Sequence, residues 1–426
     1  MNYKEFFSKG KELGFDDIQI VIKECISTDL KISNNDLIYY QNDSGCSYNI
    51  KAIINNKCVE LNSDYLDIDV LDLLKEKSSV VEDSTLEEFL SDTSINNSVY
   101  SSLKYDDIND TIDTIYSLNN KRDNLVNKVI TLLSLGKNTK RIINSNGVDI
   151  ITPSTYCHVS MILVNEKEQE TTEASTGILE TSLDKIDFYK LYNELNDELY
   201  YKLRKNDITT GKYNVIIKND VISILLNKMI SVCDMDSILE NISFLKDSIN
   251  TKVFSDKLSI IEDPKNLEYP GYTLFDDEGT LTNYKELITN GVLNMYLTNN
   301  KMASKYNVKS TGNKYGSSIG VRNLYIKEGD KSFDELVKEL GNGLIIDDCM
   351  GYHASIKLNN GTISLQAFGM LVSDGKIVSS FTPVVMTTNY KELFNNIVSI
   401  GNDLKFKSMG CGAPSILFKD ISIASK

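Results

Sequence analysis

Histidine is nearly missing from this chain: His158 and His353 are the only two in 426 residues. A protein-bound zinc takes three or four ligands, mostly His, Cys and carboxylate, converging on one point. The two imidazoles are far apart in sequence, and no HExxH-like pair occurs. The sequence therefore carries no zinc-hydrolase signature of the HExxH kind. Positive charge is also short, with 45 Lys and Arg against 60 Asp and Glu and a net charge of −15. Such a balance opposes binding to nucleic acid and to anionic membranes. No apolar run approaches the roughly 20 residues of a membrane span, and Met1-Asn2-Tyr3-Lys4-Glu5-Phe6 has no apolar signal region. The seven cysteines (25, 46, 58, 157, 233, 349 and 411) are odd in number, scattered and never spaced CxxC. They read as reduced thiols in a cytosolic protein.

What is present is a dense alternation of short apolar periods and turn signals. Asn2 and Glu5 open a helix over 2–13 that Gly14 closes. Strands are expected at 18–22, 37–40 and 48–53, with a hairpin tip at Asn55-Asn56 and a helix over 66–77. The acidic, Ser- and Asn-rich stretch from about 82 to 104 reads as a linker. A long helical pattern follows from about Asp107 to Leu135, then strands around 141–165 and a second helix near 183–205.

From Thr210 the texture becomes one of short strands and turns. Val215-Ile216-Ile217 leads into an apolar helix at about 219–232. Asp276-Asp277-Glu278-Gly279 reads as a tight turn in preference to a calcium loop, and Thr289-Asn290-Gly291 as a hairpin. Ser332-x-x-Glu335 is a capping box, Asn359-Asn360-Gly361 and Ser373-Asp374-Gly375 mark further hairpins, and Asn389 to Ile400 reads as a late helix. The expected fold is α+β: a mixed α/β N-terminal half, divided at 1–95 and 96–208, and a mostly antiparallel, β-rich C-terminal domain over 209–426 with inserted helices.

Candidate chemistry is sparse. Cys157 and His158 are neighbours on a strand and point to opposite faces, a poor nucleophile–base pair. His353 reads as a structural, hydrogen-bonded histidine. Two glycine-bearing segments, Ser310-Thr311-Gly312-Asn313 and Gly410-Cys411-Gly412, permit close backbone approach and are candidates for contact with an extended peptide.

The runs Thr210-Gly211-Lys212-Tyr213-Asn214-Val215, Ile260-Ile261-Glu262-Asp263-Pro264, Phe275-Asp276-Asp277-Glu278-Gly279, Ile288-Thr289-Asn290-Gly291, Ser310-Thr311-Gly312-Asn313 and Asn395-Asn396-Ile397-Val398-Ser399-Ile400-Gly401-Asn402-Asp403, in that order, resemble the C-terminal domain of the TldD/PmbA family. This family carries the old name of modulator of DNA gyrase and is a metallopeptidase family. The resemblance implies two branches that pair as a heterodimer. In the TldD branch an HExxxH helix and a cysteine near the C-terminus hold zinc; in the PmbA (TldE) branch those ligands are missing. Placed on this chain, Asn227 and Val232 occupy the histidine positions and Lys228 that of the glutamate. A valine offers no lone pair, and an ammonium repels the cation.

The resemblance therefore implies the metal-free subunit. It has no catalytic or metal residue of its own, with Cys411 as a remnant and zinc in a TldD-like partner. Small or unfolded peptides are the implied substrates. A homodimeric peptide-binding protein is the alternative. DNA or gyrase binding is opposed by the charge.

Overall fold

The computed structural model describes residues 1–81, 89, 108–167, 170–316 and 318–425; the expected 82–104 linker lies largely outside the described residues. The first half is built on one antiparallel sheet of six strands. Their spatial order is Lys57–Ser63, Asp36–Ile54, Asp17–Ser33, Lys128–Asn144, Asp149–Lys167 and Glu170–Glu180. The Asp17–Ser33 strand lies between Asp36–Ile54 and Lys128–Asn144, so the sheet draws on residues from both sides of position 95. Alternation along a strand sorts its residues between faces. Ile18 and Ile20 pack with Phe6, Val70, Leu71 and Leu74 of the helices Tyr3–Glu12 and Ile68–Val80. Val21, on the opposite face, packs with Ile142, Ile150 and Phe275.

Three expectations change at this level. The pattern from Asp107 to Leu135 splits: the helix covers only Asn109–Asn120, and Lys128–Asn144 is a strand. The buried Asn119 amide donates to the Asn34 carbonyl near the helix end, while Val129, Thr131, Leu133 and Leu135 are buried on alternate positions, a period of two. The runs at 37–40 and 48–53 belong to one strand, Asp36–Ile54, paired along its length with Asp17–Ser33. The late helix is Tyr390–Asn395 only; Ile397–Ile400 pairs with the last strand, Ile416–Ala424.

Turn chemistry behaves as its residues require. Asn55 and Asn56 both take positive φ, as do Asn290 with Gly291 and Asp374 with Gly375, the geometry of two-residue hairpins. Ser332 and Glu335 form the reciprocal capping box.

In the second half, five strands close on themselves. Gly343–Met350 pairs with Gly211–Ile217, which pairs with Ile416–Ala424, then Val384–Asn389, then Thr362–Ser373, which returns to Gly343–Met350. A second six-stranded sheet includes Lys285–Thr289, Ile260–Glu262, Leu324–Ile326, Cys411–Ala413 and Lys405–Phe406. Between the ring and this sheet runs the helix Asn219–Ile230. Its buried Val221, Ile222, Leu225, Leu226, Met229 and Ile230 cover more than one face, as a core helix demands. Among the described residues no helix is long and apolar enough to cross a membrane.

Candidate functional site

A cleft opens where the first sheet meets the C-terminal half. Its floor follows from strand register: Lys23 lies opposite Ser47 and Lys140, and Cys25 opposite Gly45 and Asn138, so this stripe shares one face. Thr152 and Ser154 extend the stripe on the next strand. The wall comes from the second half, with Tyr272, Asp277, Tyr315, Arg322 and Met409; this lobe has a volume of about 400 Å³. A second lobe shares Lys23, Asp277, Tyr315, Arg322 and Met409 and reaches Asn227, Ser408 and Gly410.

The turn at 276–279 holds the two halves together. Asp276 is fully buried and accepts from the backbone N–H groups of Glu278, Thr280 and Lys314 at 2.9–3.0 Å. Burial pushes its carboxyl up to about 6. Asp277 accepts from Lys23 at 2.7 Å, Lys140 at 2.8 Å and the Gly316 N–H at 2.8 Å. Burial works against its charge, but these cations hold the carboxyl well below the usual range. Lys140 has its pKa lowered to about 8 because burial outweighs the Asp277 charge. Glu278 is bonded to Lys51 at 3.2 Å and to the Asn300 N–H at 2.8 Å. The three carboxylates are thus committed to protein donors, which fits the expected turn and leaves a hard cation little to bind.

A second buried carboxylate organises the wall. Glu262, fully buried, pairs with Lys285 at 2.9 Å and accepts from the Asn313 amide at 2.9 and 3.0 Å and from the Arg322 N–H at 2.9 Å. This is where the structure places Ser310-Thr311-Gly312-Asn313. Asn313 is buried on Glu262 and the Gly320 carbonyl; Thr311 exchanges hydrogen bonds with Thr298 and accepts Lys285 on its carbonyl. Gly312 has φ +70°, and a Cβ there would meet the Leu281 carbonyl oxygen at 2.9 Å. Ser310 is half-buried, and none of the four lines either lobe.

The other loop does reach the cleft. Gly410 lines it, while Cys411 and Gly412 lie buried just behind. The Cys411 Sγ donates to Asn227 Oδ1 at 3.7 Å, so the fold brings the cysteine to the first of the degenerate motif positions. The second position falls just past the helix: the helix ends at Ile230, and Val232 is buried in the core beyond it. Lys228 is half-buried and lines neither lobe. Burial, with Glu262 nearby, pushes the Cys411 thiol up to about 12, so it is neutral at physiological pH. An amide oxygen and one cysteine sulfur are too few donors for a zinc site, and among the described residues no three of His, Cys, Asp and Glu converge on one. Cys157 is buried beside a half-buried His158, and His353 is exposed.

Residues 210–425 match the profile of the PmbA/TldA metallopeptidase C-terminal domain. The chain belongs to the PmbA/TldD family. It is similar to Metalloprotease PmbA of Escherichia coli O157:H7, 30% identical over 226 residues that make up 53% of this chain and 48% of that one. A Metalloprotease PmbA homolog of Buchnera aphidicola is 29% identical over 52% of this chain and 48% of its own length. The chain thus spans about half the length of the curated relatives it matches. Its fold is similar to that of a Thermotoga maritima protein named as a modulator of a DNA gyrase, with TM-score 0.85, 25% identity and coverage of 99% of this chain and 100% of that one. TldE from Thermococcus kodakarensis shares the fold, with TM-score 0.86, 17% identity and 99% coverage of both chains.

The cleft residues Lys23, Lys140, Asp277, Tyr315 and Arg322 come from separated parts of the chain, and only Asp277 stands out in sequence, as part of its turn. One signal was available: Arg322 is one of four arginines in the chain.

Proposed function

We propose that this chain is the metal-free, PmbA (TldE)-type subunit of a two-chain peptidase, holding an extended peptide in the cleft while a TldD-like partner supplies zinc and the hydrolytic step. The observation that carries this reading is the poverty of donors at the motif positions: an amide at Asn227, one cysteine beside it at Cys411, and a buried valine at position 232. Ser47, Asn138 and Ser154 set a few polar groups in a largely apolar floor, the mixture that suits the main chain and side chains of a peptide. Binding and positioning then reside here, with metal chemistry in the partner. Of the two glycine loops, Gly410 and its neighbours are the better placed to touch substrate.

The test is peptide cleavage by the purified chain alone and mixed with a TldD-like partner, with metal content measured on each. The expected result is chelator-sensitive hydrolysis only in the mixture. Stoichiometric zinc and robust hydrolysis in the isolated chain would falsify the proposal.

A further inference from the structure

The cations of the cleft are not equivalent. Lys23 and Lys140 both spend their charge on Asp277, at 2.7 and 2.8 Å. Arg322 lines both lobes and has no carboxylate partner among the described residues. Its guanidinium lies over the Tyr315 ring, 4.3 Å from the centroid, and donates to the Val321 carbonyl at 3.2 Å. A guanidinium carries five N–H donors, so most of its capacity is open. Its backbone is fixed as well, because the Arg322 N–H is held by buried Glu262.

We propose that Arg322 is the anchor for the free α-carboxylate of the bound peptide, so that this cleft selects peptides by their C-terminal end. The proposal rests on the peptide-binding reading above. A planar fork pre-set on an aromatic face matches a carboxylate with two parallel N–H···O bonds, and little side-chain order is lost on binding. A chain of net charge −15 gives a carboxylate no long-range attraction, so recognition of that group requires a local cation. Arg322 is common to the lobe that reaches Asn227 and Gly410 and the lobe over the first sheet, so a peptide whose carboxylate it holds can lay its preceding residues in the latter.

The experiment compares the full-length protein's affinity for three N-terminally dye-labelled peptides: tetra-alanine as the free acid, the same peptide as the C-terminal amide, and an amidated Ala-Ala-Glu-Ala. The free acid should bind at least about tenfold more tightly than either amide. Arg322→Gln should abolish that preference, bringing the free acid down to the affinity of the tetra-alanine amide, and Arg322→Lys should retain part of it. Thermal unfolding of both variants, compared with the wild type, separates a lost contact from a lost fold. Equal binding of free acid and amide overturns the assignment but leaves peptide binding standing. An amidated glutamyl peptide that binds as tightly as the free acid also overturns it, by showing that any carboxylate suffices. Binding of none of the three removes the peptide-binding reading itself.

Discussion

Two loops that look alike in sequence do different work in the fold. Ser310-Thr311-Gly312-Asn313 and Ser408-Met409-Gly410-Cys411 each place a glycine two residues after a serine. The first is a strut: its side chains close on Glu262, Thr298 and Gly320, and its glycine is fixed by a positive φ against the Leu281 carbonyl. The second presents Ser408, Met409 and Gly410 to the cleft and keeps only its cysteine inside. What separates them is a buried carboxylate. Glu262 needs donors in the core, and the Asn313 amide of the first loop joins Lys285 and the Arg322 N–H in supplying them.

Breaking the strut should have the largest effect. Lys285→Met leaves Glu262 buried without its cation and should cost about 3–5 kcal/mol of folding stability. Asn313→Ala removes two hydrogen bonds to a charged acceptor and should cost about 2–3 kcal/mol. Ser408→Ala, which removes an acceptor for the exposed Gly410 N–H and for the Cys411 N–H, should cost no more than about 1 kcal/mol. Urea unfolding measures all three, and equal losses in the two loops would sink the comparison.

The turn at 276–279 sharpens it with pH. Asp277 has a folded pKa below its ordinary value, so the stability it contributes is present above about pH 4 and is lost as pH falls towards the folded value. Asp276 works in the opposite sense. With its carboxyl raised to about 6, the folded state favours the neutral form, and stability is given up as pH rises from about 4 to 6. From these two groups the wild-type urea midpoint should be highest near pH 4, declining as pH rises to 6 through Asp276 and falling below pH 4 through Asp277. Asp277→Asn should cost about 2 kcal/mol at pH 7 and show a shallower acid limb. An unchanged acid limb in that variant would remove Asp277 from the account.

Legibility in the sequence tracks the range of the interactions involved. The helix cap at Asn2, the hairpins at Asn55-Asn56 and Asn290-Gly291, and the capping box at Ser332 are decided within four residues and could be read directly. The boundary between helix and strand inside 107–135 could not. Apolar positions there fit either period, and the choice is made by pairing of Lys128–Asn144 with Asp17–Ser33, about a hundred residues earlier. The cleft is less legible still, since Lys23, Lys140, Asp277 and Arg322 meet only after two sheets dock. The degenerate motif was readable as a list of residues. The placement of Asn227 beside Cys411, with Val232 buried past the helix end, was not.

On peptide affinity the smallest effect is expected at Cys411, the remnant cysteine beside Asn227. If Cys411 were still a working ligand it would be held as a thiolate, open to metal and to alkylating reagents. Here it is buried, with Asn227 as its hydrogen-bond partner and its thiol pushed up to about 12. In the folded protein, iodoacetamide at pH 8 should modify the exposed Cys46 first and leave Cys411 untouched, as read by peptide mass spectrometry. Cys411→Ala should alter stability by about 1–2 kcal/mol through lost packing, and leave peptide affinity within about twofold, because Gly410 and not Cys411 lines the cleft. Rapid alkylation of Cys411 in the native chain would mean that the loop opens. The contrast between a closed strut and a cleft wall with a sealed cysteine would then have to be redrawn.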